Sequence, residues 1–271
     1  MNKYKLPPGA CNCHLHIIDP KFPNDGKAKH QIGTISDYKR IAKKLTLDKA
    51  VFVQAKPFRL DNTCLLDAIQ RFGENYSVGI AVTNNLITDQ ELFELHLKGI
   101  RGLRFSMWNP NNAVVSFNDC LPLSERIKEF NWNIQLHLSP EQLLNSYDMI
   151  KNLNCNIVLD HMARLESYTN PIFSKICKLI DLGHTWIKLS GPYLNSKENA
   201  PWTTVNDLAK TLISYAPERM LWGSDWPHVT EKNKYDEKLF IELLYQWIPS
   251  KTILNQILVK NPNEVYNFKN S

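Results

Sequence analysis

Eight short apolar runs recur along the chain, at residues 11–16, 50–54, 77–82, 100–105, 132–137, 156–161, 186–190 and 220–225. Most are separated by stretches with helical spacing, such as Tyr38 to Ala42, Leu65 to Ile69 and Leu92 to Leu95. Strand and helix alternating in this way predict a parallel sheet with helical crossovers. Eight such units in 271 residues fit a single (β/α)8 TIM barrel over residues 1–271. The alternative, an open doubly wound sheet, lacks the Gly-rich phosphate loop that such sheets carry after a strand.

In a barrel the active site gathers at the C-terminal ends of the strands. Here almost every run ends in a polar residue: His14 and His16, Gln54, Arg104, His137, His161, Lys188 with Ser190, and Asp225. Alternation along a strand sorts these by face. It places His14 and His16 together with Asn12, and sends Cys11 and Cys13 to the outer face. It groups Gly102, Arg104 and Ser106, then Gln135 with His137, and Leu221 and Gly223 with Asp225. Imidazoles converging on one strand end bind a metal, polarise a carbonyl or hold a water.

Composition narrows the class. The net charge of +5 is modest and the lysines are dispersed, as in Lys39, Arg40, Lys43 and Lys44 on one expected helix. Such a pattern reads as a solvated face, so no nucleic-acid partner is expected. No run is long and apolar enough for a membrane span, and the start of the chain lacks the apolar region of a signal peptide. The six cysteines are scattered and read as buried free thiols in a reducing cytoplasm. The loop 19–35, with Pro20, Pro23 and Gly26, is a candidate lid.

Several motifs together resemble the amidohydrolase superfamily, in particular the amidohydrolase family 2 members around 2-pyrone-4,6-dicarboxylate hydrolase and the sugar lactonases. They are Cys13-His14-Leu15-His16, Gly99 to Phe105, Asp160-His161-Met162-Ala163-Arg164, Lys188 to Tyr193, Leu221 to His228 and Asn261 to Tyr266. The resemblance implies a hydrolase that opens a lactone ring, with a small-molecule lactone as partner. Asp225 would be the general base, and His14, His16 and His161 would hydrogen-bond the substrate carbonyl. Substrate contacts are expected from Arg104, Arg164, His137, Gln54, Tyr193 and His228, and His228 is also placed to orient Asp225.

Two forks follow from the same residues. His14, His16, His137 and Asp225 would suit zinc or another divalent metal. Arg104, however, stands where a bridging ligand would be needed, and the lactonases of this resemblance work without metal. The expectation is therefore that no cofactor is required. The alternative is a zinc-dependent amidohydrolase or an aromatic-acid decarboxylase on the same barrel. As for substrate, the resemblance implies an arginine after Gly191-Pro192-Tyr193, where this chain has Leu194. With no basic residue in 107–112 either, the pocket is expected to suit a sugar lactone or a monoanion, with Trp108, Asn109 and Asn111 against a polyol. Sequence alone leaves the oligomeric state open.

Overall fold

A computed structural model describes residues 4–26, 31–231 and 235–269. All eight expected strands form: β1 Cys11–Leu15, β2 Lys49–Val53, β3 Ser77–Ala81, β4 Ile100–Ser106, β5 Asn133–His137, β6 Asn156–Leu159, β7 Thr185–Leu189 and β8 Met220–Trp222. They pair in parallel in chain order. The ring closes just past β8, where Asp225 N–H donates to His14 O (2.8 Å) and His16 N–H to Trp226 O (2.7 Å).

Helices carry the chain back between strands. They are α1 Ile35–Leu45, α2 Thr63–Phe72, α3 Asp89–Leu97, α4 Cys120–Ile127, α5 Pro140–Asn145, α6 Tyr147–Lys151, α7 Phe173–Asp181, α8 Val205–Tyr215 and, after β8, α9 Glu237–Trp247. The first shows why these segments are helical. Thr34 and Asp37 form a reciprocal capping box, and Thr46 ends the helix in the left-handed region. Ile35, Tyr38, Ala42 and Leu45 recur at helical spacing and are buried, so one stripe faces the barrel. Among the described residues no helix is long and apolar enough to cross a membrane.

The core has two layers. The larger lies between barrel and helices and takes in Leu15, Ala50, Phe52, Leu103 and Ile134. The smaller fills the barrel itself, with Cys11, Cys13, Val51, Val53, Val78 and Ile80, and is joined by Val265, Tyr266 and Phe268 from the C-terminal segment. That segment seals the N-terminal mouth: Lys49 Nζ sits over the Phe268 ring, and Arg101 Nε donates to Asn267 O.

The arrangement of β1 departs from simple alternation. Its register against β2 slips between Asn12 and Leu15, with one extra residue on β1. Such a bulge puts two successive side chains on one side. Cys11 and Cys13 therefore lie inside the barrel, not on its outer face, and His14 still points inward. Asn12 is turned away from the histidines. Its side chain ties β1 to the chain beyond β8, with Nδ2 donating to Ser224 Oγ (2.8 Å) and Oδ1 accepting from Ser224 N (2.9 Å). All six cysteines are free thiols.

Candidate active site

A cavity of about 390 Å³ opens at the C-terminal rim, lined by His16, Lys56, Arg104, Ser106, Trp108, Asn109, His137, His161, Arg164, Leu194, Asp225 and Glu231, among others. Larger surface grooves exist, but this is the one into which the strand ends project. Of the loop 19–35, residues 27–30 fall outside the described residues. Its base is fixed by paired backbone bonds between Ile18 and Gly33 (2.9 and 3.1 Å), and Ile18 lines the cavity.

Asp225 is the anion of the cavity floor. Its Oδ2 accepts the Tyr193 hydroxyl at 2.6 Å. Its Oδ1 lies 3.4 Å from His14 Nε2 and 3.5 Å from His16 Nε2. Burial by itself would raise this carboxyl, but the neighbouring rings of His161, His16 and His14 outweigh it and hold Asp225 well below the usual range. Tyr193 is pushed well above its ordinary value by burial and by Asp225, so it stays protonated and donates. Behind it, His228 Nδ1 meets the Tyr193 hydroxyl at 3.0 Å and Nε2 meets Glu237 Oε1 at 2.6 Å. Tyr193 and His228 thus stand behind Asp225, not in the cavity wall.

Beneath this floor lies a second charged centre that strand-end reasoning missed. Asp160 follows β6 with the same inward parity as Val158. Its Oδ2 accepts from Arg104 Nε (3.3 Å), Arg104 Nη2 (3.2 Å) and Gln135 Nε2 (3.1 Å). Lys188, fully buried, donates to Gln135 Oε1 (2.6 Å) and to His14 Nδ1 (3.3 Å), and lies 3.6 Å from Asp160 Oδ1. Burial tends to raise Asp160, but His14, Lys188 and Arg104 hold it well below the carboxylate range. Burial brings Lys188 down to about 8, with Asp160 opposing.

These contacts constrain the tautomers. The Val53 carbonyl can only accept, so His16 Nδ1–H donates to it at 2.9 Å and leaves Nε2 as a lone pair. His14 Nδ1 faces both Asp160 Oδ1 (3.2 Å), which can only accept, and Lys188 Nζ (3.3 Å), so one tautomer donates Nδ1–H to Asp160 and leaves Nε2 as a lone pair, and the other carries its proton on Nε2, 3.3 Å from His16 Nε2. His14 is fully buried and is absent from the cavity wall. His161 and His137 are held differently, each with a serine hydroxyl 3.0 Å from Nδ1, Ser190 and Ser106 respectively. Nε2 is then the free ring nitrogen of both. The His137 Nε2 is buried without a partner. Burial lowers both imidazoles, His161 to about 4.

Local backbone geometry explains how two of these side chains arrive. By alternation from Asp160, His161 belongs on the outer face. Instead, His161, Met162, Ala163 and Arg164 all adopt left-handed backbone, with φ of 53°, 49°, 53° and 59°. That turn throws both His161 and Arg164 into the cavity. Asn195 holds it, donating to His161 O (2.9 Å) and Leu165 O (2.8 Å). Gly223 matters through close approach, because a Cβ there would lie 2.5 Å from His14 Cβ.

Other expected contacts resolve as follows. Arg164 is in the wall, its guanidinium 3.7 Å over the Trp108 ring, and its Nε is buried without a partner. Gln54 is not in the wall. Its Nε2 donates to Arg59 O and Asp61 O, which secures the turn after β2. Trp108 and Asn109 line the cavity and Asn111 does not. Lys56, in the turn Lys56–Phe58 after β2, is a wall residue the sequence reading missed, since it lies beyond the strand end where polar residues were sought. His14, His16 and Asp225 form one group with metal-ligand spacing, and His14, Asp160 and His161 another. His137, expected in the metal set, is in neither.

The sequence matches the amidohydrolase family profile over residues 11–268. It is 31% identical to a 4-sulfomuconolactone hydrolase of Rhizobium radiobacter, over 97% of this chain and 91% of the relative. It is 28% identical to a 2-pyrone-4,6-dicarboxylate hydrolase of Comamonas testosteroni, over 97% and 92%. A D-galactarolactone isomerase of Agrobacterium fabrum is 26% identical, over 96% and 92%. The fold superposes on a ligand-free crystal structure from Agrobacterium tumefaciens with a TM-score of 0.90, covering 98% of both chains at 24% identity. The chain belongs to the amidohydrolase family.

Proposed function

We propose that the cavity hydrolyses a lactone by direct attack of water, with Asp225 as the base. One observation carries this reading. Asp225, fixed through Oδ2, shares the cavity with two imidazoles whose Nε2 atoms have no protein partner. A water between them would give its proton to Asp225 as its oxygen attacks the lactone carbonyl carbon. The carbonyl oxygen, gaining charge, would be stabilised by N–H groups of His161 and His137, with the serine hydroxyls donating to Nδ1 so that Nε2 carries hydrogen. Collapse breaks the ring C–O bond, the leaving oxygen takes up the proton held by Asp225, and the product is a hydroxy acid or, from an enol lactone, the enol of a keto acid. His14 and His16 then bound the Oδ1 side of Asp225, His16 from the cavity wall. The relatives named for a sulfomuconolactone, a pyrone dicarboxylate and a galactarolactone support lactone chemistry.

This reading uses no metal. The three Nε2 and Oδ1 atoms of His14, His16 and Asp225, 3.3–3.5 Å apart, match the edge of about 3.3–3.4 Å expected for tetrahedral zinc with bonds of ~2.0–2.1 Å. The chemistry fits in the His14 tautomer whose Nδ1–H donates to Asp160, because Nε2 of His14 and of His16 are then lone pairs beside the Asp225 carboxylate. These three residues would then hold a divalent cation, which would polarise the lactone carbonyl; the metal-free reading routes no step through it, because Asp225 and the Nε2 groups of His161 and His137 supply the base and the oxyanion contacts. In the second group, Asp160 Oδ2 is taken by Arg104 and Gln135, while Oδ1 faces His14 Nδ1 at 3.2 Å and Lys188 Nζ at 3.6 Å. The test is hydrolysis of sugar lactones, muconolactones and pyrone carboxylates before and after exhaustive chelation. Turnover that survives chelation is expected. Turnover lost on chelation and restored by one equivalent of zinc overturns the metal-free reading, and absence of any lactone turnover overturns the function.

A further inference from the structure

Tyr193 has one hydroxyl hydrogen and two neighbours that can take it, Asp225 Oδ2 at 2.6 Å and His228 Nδ1 at 3.0 Å. A hydrogen spent on His228 leaves Oδ2 without its donor, so the choice bears directly on the base. Behind His228 the chain supplies a second carboxylate. Glu237 Oε1 lies 2.6 Å from His228 Nε2, and both side chains are buried. Glu237 and Phe240 are three residues apart on α9 and so share a face. Phe240 stacks on the imidazole at 4.7 Å and 17°, which fixes the plane of the ring. The turn that carries the ring is held by His228 N–H donating to Asp225 O at 2.8 Å.

Counting hydrogens along these side chains gives the direction of each bond. An ionised Asp225 can only accept, so the Tyr193 hydrogen points to Oδ2. The Tyr193 oxygen then offers only lone pairs to His228, and Nδ1 must carry a hydrogen to meet it. With Nδ1 so occupied, the contact between Nε2 and Glu237 holds one further hydrogen, on one atom or the other. A neutral imidazole beside an ionised glutamate has one hydrogen too few. Its Nε2–H would go to Glu237, and the bare Nδ1 would draw the Tyr193 hydrogen away from Asp225. The Glu237–His228 pair therefore shares the hydrogen that keeps Nδ1–H in place. Burial pushes the Glu237 carboxyl up, against the bonds from His228 and Ser224, which favours such sharing.

We propose that Glu237 and His228 are positioning residues that together commit the Tyr193 hydrogen to Asp225 Oδ2, and so leave Oδ1 as the oxygen that takes the proton of the attacking water. This rests on the lactone reading above and deepens it. Neither residue lines the cavity, so both act through Tyr193. The competing role for Glu237 is structural, as an acidic residue in the first turn of α9, where a carboxylate favours the start of a helix.

Two measurements test the proposal. Heteronuclear NMR of the imidazole nitrogens reads the hydrogens directly near neutral pH, with eight histidines in the chain and His228 assigned by its loss in His228→Asn. His228 Nδ1 should be protonated in wild type and in Glu237→Gln, whose amide donates to Nε2, and the protonated fraction should fall in Glu237→Leu. A wild-type Nδ1 that reads as a bare lone pair overturns the proposal, and this spectrum keeps the test decisive if Glu237→Leu does not fold. The second measurement is a double-mutant cycle on the lactone that the wild type turns over best. Glu237→Leu should lower kcat by about 5–20-fold with KM within about 2-fold, and Glu237→Gln should keep kcat within about 3-fold. In the Tyr193→Phe background Glu237→Leu should cost less than about 2-fold, because the hydroxyl it acts through is gone. An equal loss in both backgrounds would place Glu237 in the folding of α9 and overturn its role. If no lactone turns over, the proposed function fails, and the NMR result still decides where the Tyr193 hydrogen points.

Discussion

Asp225 is gripped from both oxygens, and the grip separates two roles that a single carboxylate would otherwise blur. Oδ2 is tied to Tyr193, so the oxygen left for a water is Oδ1, on the side of His14 and His16. Asp225→Asn is nearly isosteric and removes the base, so kcat should fall by at least ~10²-fold with folding intact. Tyr193→Phe keeps the base but removes a charge-assisted hydrogen bond. It should lower kcat by about 10-fold with little change in KM, and it should raise the pH at which the acid limb of kcat appears, since Asp225 loses a group that favours its ionised form. Pre-steady-state and steady-state rates across acid pH distinguish the two variants. Wild-type turnover by Asp225→Asn would remove it as the base, and an unmoved acid limb in Tyr193→Phe would show that Tyr193 does not act through Asp225.

At the scale of elements, the strands were legible and their terminations were not. Eight apolar runs with helical spacers leave few alternatives to a barrel, and parity correctly grouped Arg104 with Ser106 and Gln135 with His137. Asp160, two residues after Val158, shares its inward parity, so it is legible by the same rule. Parity fails wherever the backbone leaves regular β geometry. The bulge in β1 moved Cys11 and Cys13 inside and Asn12 out. The left-handed turn after β6 brought in His161 from the wrong face. Neither carries a glycine or proline to announce it. Four non-glycine residues in that turn cost ~4–8 kcal/mol at ~1–2 kcal/mol each, so something must hold them. The visible clamp is Asn195, nearly fully buried, on two carbonyls of the turn. Asn195→Ala should destabilise the chain by ~2–4 kcal/mol in denaturant unfolding, because two buried acceptors lose their donor. It should also raise KM for anionic lactones, because Arg164 rides on the same turn. A variant with lowered stability but unchanged KM would show that the turn keeps its shape without the clamp.

Among the described residues, a column of buried ionisable groups runs through the barrel from Lys188 and Asp160 up to Asp225 and His161, and it contributes to how stability depends on pH. His161, His14 and His137 are all lowered by burial, His161 from 6.5 to about 4. Below their ordinary values the unfolded chain takes up protons that the folded chain refuses, so stability falls as pH drops. His161 alone accounts for about 3 kcal/mol between about pH 7 and pH 4. Asp160 and Asp225, both held well below 3.8, add their share as the unfolded carboxylates protonate below about pH 4. Lys188 acts at the other end. Lowered from 10.5 to about 8, it gives up its proton in the folded state first, so this group favours folding more as pH rises from about 8 to about 10.5. The melting temperature should therefore climb from about pH 4 to about pH 7, by roughly 6–12 °C for the His161 part at ~2–4 °C per kcal/mol in a chain of this size. His161→Asn should flatten that climb while leaving the alkaline side unchanged, because it removes an imidazole that titrates only in the unfolded chain. Scanning calorimetry of both proteins across that range tests it. A wild-type melting temperature that is level from about pH 7 to about pH 4.5, or a slope that survives His161→Asn undiminished, would mean that the imidazole is protonated in the folded state and that the site is wetter than this geometry describes.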